Sequence, residues 1–201
     1  MAKLYFRYGA MNSGKSTALL QAAYNYEERH QNVLLAKPDT DTKGDDAIVS
    51  RLGVTRAVDF VVAPTDDLLE VFTAARAGAV EATGSDVACL LVDEVQFFTP
   101  RQVDDLLRVA VLENIPVLAY GIRTDFRTRA FAGAERLFEV AHSLEELKTI
   151  CRCGRKAMFN ARLIDGRYVF DGDQVAIEGA TVTYEPLCAA CYLDESGGVL
   201  A

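Results

Sequence analysis

The chain has 201 residues, half hydrophobic and a quarter charged, the profile of a soluble globular protein with one domain and a small appendage. Its 21 basic against 29 acidic side chains leave a net charge of −8, which disfavours nucleic-acid binding driven by phosphate neutralisation. No apolar run approaches the ~18 residues that span a bilayer, and Arg7 interrupts the apolar start before a signal-peptide core can form; a cytoplasmic location is expected, with no membrane and no nucleic-acid partner.

The first predicted strand, Lys3–Tyr8, runs into a glycine loop, and Ser16–Glu28 reads as the helix that leaves it. Between them Gly9–Ser16 fits the phosphate-loop pattern G-x-x-x-x-G-K-[ST]. Glycines there allow tight turns, and backbone N–H groups point at the phosphates. Lys15 and the helix dipole add positive charge, and the Ser16 hydroxyl suits a Mg²⁺ shell. The expected ATP contacts in this loop are Gly9, Ala10, Met11, Asn12, Ser13, Gly14, Lys15, Ser16 and Thr17.

Val33–Lys37 reads as a buried strand, and the polar, turn-rich stretch Pro38–Gly53 as a mobile loop. Thr65–Gly78 has helical periodicity, a polar start and a closing glycine. Val87–Asp93 is a further buried strand with Cys89 as a core residue. It ends in Asp93 and Glu94 at the carboxyl edge, where open α/β sheets bind ligands. Asp93 suits a Mg²⁺ role beside Ser16, and Glu94 suits a base that polarises a water or a substrate hydroxyl. A solvated strand end is the alternative; the phosphate loop upstream favours chemistry. Gln96 completes the expected nucleotide-binding set.

Thr99 and Pro100 open the next helix, with Val103, Leu106, Leu107 and Val109 to Leu112 behind them. Ile115–Gly121 is another strand. Such alternation predicts an α/β fold over residues 1–150 with helices on both faces of a parallel sheet. Tyr120–Phe131 then alternates aromatics and arginines at the same sheet edge. Phe126 and Phe131 suit the walls of a flat base and Arg123, Arg127 or Arg129 suit phosphate charge, unless the phenylalanines tuck into the core. His30 and His142 have no nucleophile beside them and read as capping or surface residues.

Near Ile150 the helical texture stops, and residues 151–192 read as a small β-rich lobe with a cysteine pair at each end. Cys151-x-Cys153 and Cys188-x-x-Cys191 suit tetrahedral Zn²⁺, and four thiolates make a closed, structural site. Two unrelated thiol pairs are the alternative. Residues 193–201 read as a flexible tail.

Together these motifs resemble the type II thymidine kinases over nearly the whole chain. The resemblance rests on "GAMNSGKST", "LVDEVQFF", "YGIRTDFR", "LKTICRCGRKA" and "YEPLCAACY" in that order. It implies a P-loop NTPase (RecA-like) domain with a C-terminal zinc-binding lobe, and transfer of the ATP γ-phosphate to the 5′-hydroxyl of thymidine with Mg²⁺. By motif position Glu94 is the general base, Lys15 and Ser16 serve the phosphates, and Asp93 assists the metal. The thymidine set is Met11, Phe97, Phe126 and Phe131, with Ala176, Ile177, Gly179 and Tyr184 from a lid joining the zinc pairs. It further implies a homotetramer and feedback inhibition by thymidine triphosphate (dTTP). Two departures stand out: "AIEGA" places Glu178 where a glycine pair is usual, and Cys191 stands where many bacterial relatives have histidine.

A phosphate-loop motor that activates water and a zinc-ribbon module attached to a nucleotide switch are the competing readings. Residues 151–201 carry five basic and seven acidic side chains, whereas a nucleic-acid ribbon should be basic.

Overall fold

The computed structural model describes residues 1–41, 46–174 and 181–200; Ala176, Ile177, Glu178 and Gly179 lie outside them. In chain order its first elements are β1 (Leu4–Tyr8), α1 (Lys15–Glu27), β2 (Asn32–Pro38), β3 (Ala47–Val49), β4 (Thr55–Ala57) and β5 (Phe60–Val62). Then come α2 (Leu68–Thr83), β6 (Val87–Val92), a 3₁₀ turn (Val95–Phe97), α3 (Pro100–Val111), β7 (Val117–Gly121), α4 (Ala132–Val140) and β8 (Ser143–Glu146). The C-terminal part adds β9 (Thr149–Ile150), β10 (Lys156–Ala157), β11 (Phe159–Ile164), β12 (Arg167–Val169), β13 (Val182–Leu187) and α5 (Ala189–Glu195).

Six strands form one parallel sheet in the order β5-β2-β6-β7-β1-β8. Successive side chains of a strand point to opposite faces, so each apolar run supplies two cores. Val33, Leu35, Cys89, Leu91, Leu118 and Tyr120 meet Leu19, Leu20 and Ala23 of α1 on one face. Leu34, Ala36, Leu90, Val92, Val117 and Ala119 meet Phe72, Leu106 and Leu137 of α2, α3 and α4 on the other. Burial on both faces explains why these strands read as continuous apolar runs and not as alternating ones. The phosphate-loop strand β1 and the acidic strand β6 flank β7, the RecA-like order, so the segments leaving all three meet at one sheet edge.

The helix signals hold with shifted ends. Thr99 caps α3 in a reciprocal box with Gln102: each backbone N–H is bonded to the other's side chain, at 3.0 and 3.3 Å. In α2 it is Asp67, not Thr65, that caps, accepting from the Leu69 and Glu70 N–H groups. That helix runs past Gly78 to Gly84, whose φ of 73° ends it.

Two expectations need correction, and one helix is unanticipated. The stretch Pro38–Gly53 is not a loop throughout, because β3 lies within it and pairs antiparallel with β4. The unanticipated helix α4 carries no polar cap signal, since Phe131 occupies its N-cap without a side-chain bond. The tail begins later than residue 193, because α5 extends through Glu195 before Gly197 and Gly198 turn left-handed.

In the C-terminal part β11 pairs antiparallel with β12 and β13, while β9 and β10 form a short hairpin. Its core is small: Cys151, Ala157, Ala161, Leu187, Cys188 and Tyr192. Among the described residues no helix is long and apolar enough to cross a membrane.

Candidate active site

The loop after β1 is shaped by its own backbone. Gly9 has no room for a side chain, since a Cβ there would lie 2.3 Å from Leu147 O and 2.5 Å from Ser13 Oγ. Asn12 and Gly14 adopt left-handed φ values of 66° and 77°, which turn the chain into α1. No side chain caps α1 and no acidic residue sits in its first turn, so its N-terminal amides and dipole are directed at a ligand. Lys15 is buried and folds back over the loop, donating to Gly9 O at 3.3 Å and Ala10 O at 3.2 Å. Residues far along the chain brace the same loop: Asn160 Oδ1 accepts from Met11 N–H at 2.7 Å, and the Thr149 hydroxyl donates to Asn12 O at 3.2 Å.

Beyond β6 the two acidic side chains separate. Asp93 is buried at the strand end and held near Ser16 and Lys15. Burial first, and the charge of Glu94 second, push its carboxyl up to about 7, against the Ser16 hydroxyl bond and the Lys15 ammonium. Glu94 takes a left-handed backbone, φ 48° and ψ 35°, which swings its side chain away from the strand direction. The Gln96 amide donates to Glu94 Oε2 at 2.6 Å and accepts the Ile122 N–H at 3.1 Å.

These elements enclose a cleft of about 1200 Å³. Its lining includes Gly14, Lys15, Ser16, Thr17 and Gln21 of the phosphate loop and α1, with Asp41, Val49, Arg51 and Leu52. It also includes Met11, Phe97, Phe126, Phe131 and Tyr184, with Glu94 and Gln96. Phe97 and Phe131 meet edge to face, with centroids 5.5 Å apart. A lining that combines a helix N-terminus, a carboxylate and aromatic rings suits a phosphorylated ligand beside a flat ring.

Most sequence-predicted residues thus converge. Gly9, Ala10, Ser13 and Asp93 support the cleft without lining it. The arginines of Tyr120–Phe131 do not line it either: Arg127 pairs with Asp125 at 3.1 Å, Arg123 lies over the Phe159 ring at 5.5 Å, and Arg129 is exposed. Short-range ion pairing and ring packing outcompete a role at the cleft. His142 caps the start of β1 by accepting from Leu4 N–H at 3.1 Å. Asn160, Gln174 and Asp125 line the cleft without having been singled out: Asp125 sits within YGIRTDFR, where the arginines and aromatics draw the reading, and no local motif flags Asn160 or Gln174.

The four cysteine sulfurs lie within 4.8 Å of one another. Tetrahedral Zn–S bonds of ~2.3 Å require S···S separations of about 3.8 Å, so the cluster fits a zinc ion after small adjustments. The thiols share protons unequally. Cys188 falls to about 6, chiefly because the Cys191 N–H donates to its sulfur. Cys191 rises to about 12, chiefly through hydrogen bonds with Cys153, Cys188 and Cys151.

A family model described as thymidine kinase matches residues 2–192. The thymidine kinase of Chromobacterium violaceum is 44% identical over 194 residues, 96% of this chain and 98% of that one. That of Rhodopirellula baltica is 45% identical over 191 residues, covering 94% and 86%. That of enterobacteria phage T4 is 42% identical over 179 residues, covering 88% and 89%.

Proposed function

The chain belongs to the thymidine kinase family, and from that premise we propose that it transfers the γ-phosphate of ATP to the 5′-hydroxyl of thymidine, giving dTMP, with Glu94 as general base. The observation that supports this assignment is one cleft lined at once by Lys15 and Ser16, by Glu94, and by Phe97 and Phe131; the first pair is read as its phosphate end and the phenylalanines as its aromatic end.

ATP binds through the backbone of Gly9–Thr17 and through Lys15, with Gln96 at the boundary. Ser16 and Asp93 would hold Mg²⁺, which neutralises charge on the transferring phosphoryl group when bound. Thymidine lies against Met11, Phe97, Phe126, Phe131 and Tyr184. There its 5′-hydroxyl gives its proton to Glu94 as the oxygen attacks the γ-phosphorus, and the bond to the β–γ bridging oxygen breaks to release ADP. The family lid through Ala176, Ile177 and Gly179 excludes water that would otherwise hydrolyse ATP. Zinc on Cys151, Cys153, Cys188 and Cys191 pins the lid's two ends. Residues 1–150 act as the nucleotide-binding unit and 151–192 as the substrate-covering lobe. A cytoplasmic homotetramer inhibited by dTTP completes the reading.

The test is ATP turnover measured with thymidine, with single-stranded DNA and with neither. ADP formation that requires thymidine and matches dTMP mole for mole is expected. Turnover stimulated by DNA and indifferent to thymidine would replace the kinase with a motor.

A further inference from the structure

Arg162, on β11, heads the fully buried side chains of the fold by volume, at 1% exposure. Its partners are unusual for a buried cation. The guanidinium carbon lies 3.5 Å from the centroid of the Phe126 ring. Its two terminal nitrogens donate to main-chain carbonyls, Nη1 to Asp173 O at 2.8 Å and Nη2 to Asp171 O at 2.7 Å. Nε is buried without a hydrogen-bond partner among the described residues. Gly172 wraps so closely around the guanidinium that a Cβ there would lie 3.1 Å from Nη2, and its φ of 95° suits glycine.

Burying a charge on carbonyls and an aromatic face is costly, and a methionine could cover Phe126 without that cost. What methionine cannot do is hold two carbonyls of the segment leaving β12 while stacking on a ring in the loop after β7. One more contact joins the same pieces, the Gln174 amide donating to Asp125 Oδ2 at 3.3 Å, and the Tyr192 hydroxyl of α5 donates to Phe126 O at 2.6 Å. Phe126 and Gln174 line the cleft; Arg162 does not. Its influence on a ligand therefore runs through them.

We propose that Arg162 is a positioning residue for the nucleoside, fixing the Phe126 wall and the Asp171–Gln174 segment as one unit. The proposal rests on the reading of the aromatic end as the thymidine pocket. It predicts a binding defect confined to that end. Arg162→Met in the full chain should raise the KM for thymidine roughly 10- to 100-fold, the scale for losing charged hydrogen bonds that order a site. The kcat and the KM for ATP should change by less than roughly threefold, since the phosphate end is untouched. Amide exchange of Asp171–Gln174 and of the Phe126 loop should accelerate together. Arg162→Lys should show the same pattern, because one ammonium cannot span both carbonyls and also stack; it carries the test if the methionine variant does not melt cooperatively.

Thymidine KM at the wild-type value in the lysine variant, or kcat and ATP KM deteriorating in step with it, would overturn the proposal. If the wild-type chain phosphorylates no thymidine, the pocket assignment fails. The exchange measurement still decides whether Arg162 couples the two segments.

Discussion

Gln96 holds Glu94 from the side: its Nε2 donates to Glu94 Oε2 at 2.6 Å while its Oε1 accepts the Ile122 N–H at 3.1 Å. The carboxylate at the end of β6 is thereby tied to the backbone just beyond β7. Gly121 makes the tie possible, because a Cβ there would lie 2.6 Å from Gln96 Oε1. With the backbone of Glu94 already left-handed, its carboxylate is held in place from both ends, which suits the general-base role proposed for it.

Glu94→Gln keeps the shape and the Gln96 contact but removes the proton acceptor. Thymidine phosphorylation should fall roughly 10²- to 10⁴-fold, the range for a positioned base. ATP affinity, measured by calorimetry, should stay within about threefold, because the loop amides and Lys15 are untouched. Near-normal turnover would remove Glu94 from the base role.

Gly133→Ala should destabilise the site from behind. A Cβ at Gly133 in α4 would lie 2.6 Å from Phe98 O, 2.7 Å from Val95 O and 3.0 Å from Gln96 O. These are backbone atoms of the turn that carries Phe97, so the helix must shift, at a cost of about 1–3 kcal/mol. The melting temperature should drop by roughly 2–12 °C. Gly78→Ala is the control. Gly78 is exposed within α2, and nothing lies within 4 Å of an added Cβ, so that change should stabilise by about 0.5–1 kcal/mol. Equal effects at the two positions would contradict the packing argument.

Much of the cleft was legible because its parts are local. The phosphate loop, the acid pair after β6 and the α3 capping box each occupy a few consecutive residues whose chemistry requires that order. The contacts that brace them are not local. Asn160 reaches Met11 across 149 positions, and Tyr192 reaches Phe126 across 66. A single asparagine or tyrosine carries no periodicity or spacing to announce such a partner. The arginines of Tyr120–Phe131 show the opposite failure. Their composition suggested phosphate, but Asp125, two residues before Arg127, satisfies that side chain first.

Zinc removal should unfold the C-terminal part before the sheet domain. Its core of described buried residues numbers six, two of them the candidate ligands Cys151 and Cys188. So small a core supplies little stability without a staple. One zinc per chain by elemental analysis is expected, and stripping it with a strong chelator or by Cys188→Ser should lower the first melting transition. Thymidine KM should rise with that loss, since Tyr192 follows Cys191 and holds the Phe126 carbonyl. A melting curve indifferent to chelation would argue for free thiols.

Asp93→Asn should trade function for stability, and pH should reveal it. Burial raises the Asp93 carboxyl to about 7 in the folded chain from an ordinary carboxylate value of 3.8. An acid whose folded pKa lies above its unfolded value contributes stability at low pH. That contribution is lost as pH rises from about 4 through about 7, where the unfolded chain ionises more readily. Without nucleotide or divalent cation, the asparagine variant should therefore melt higher than wild type at pH 8, and the difference should shrink at pH 5. Adding Mg²⁺ and ATP should reverse the order at pH 8, because the ionised carboxylate then gains a cation that asparagine cannot hold as strongly. A variant less stable than wild type at pH 8 in the absence of ligands would show that the Ser16 bond and the Lys15 charge outweigh the burial of Asp93.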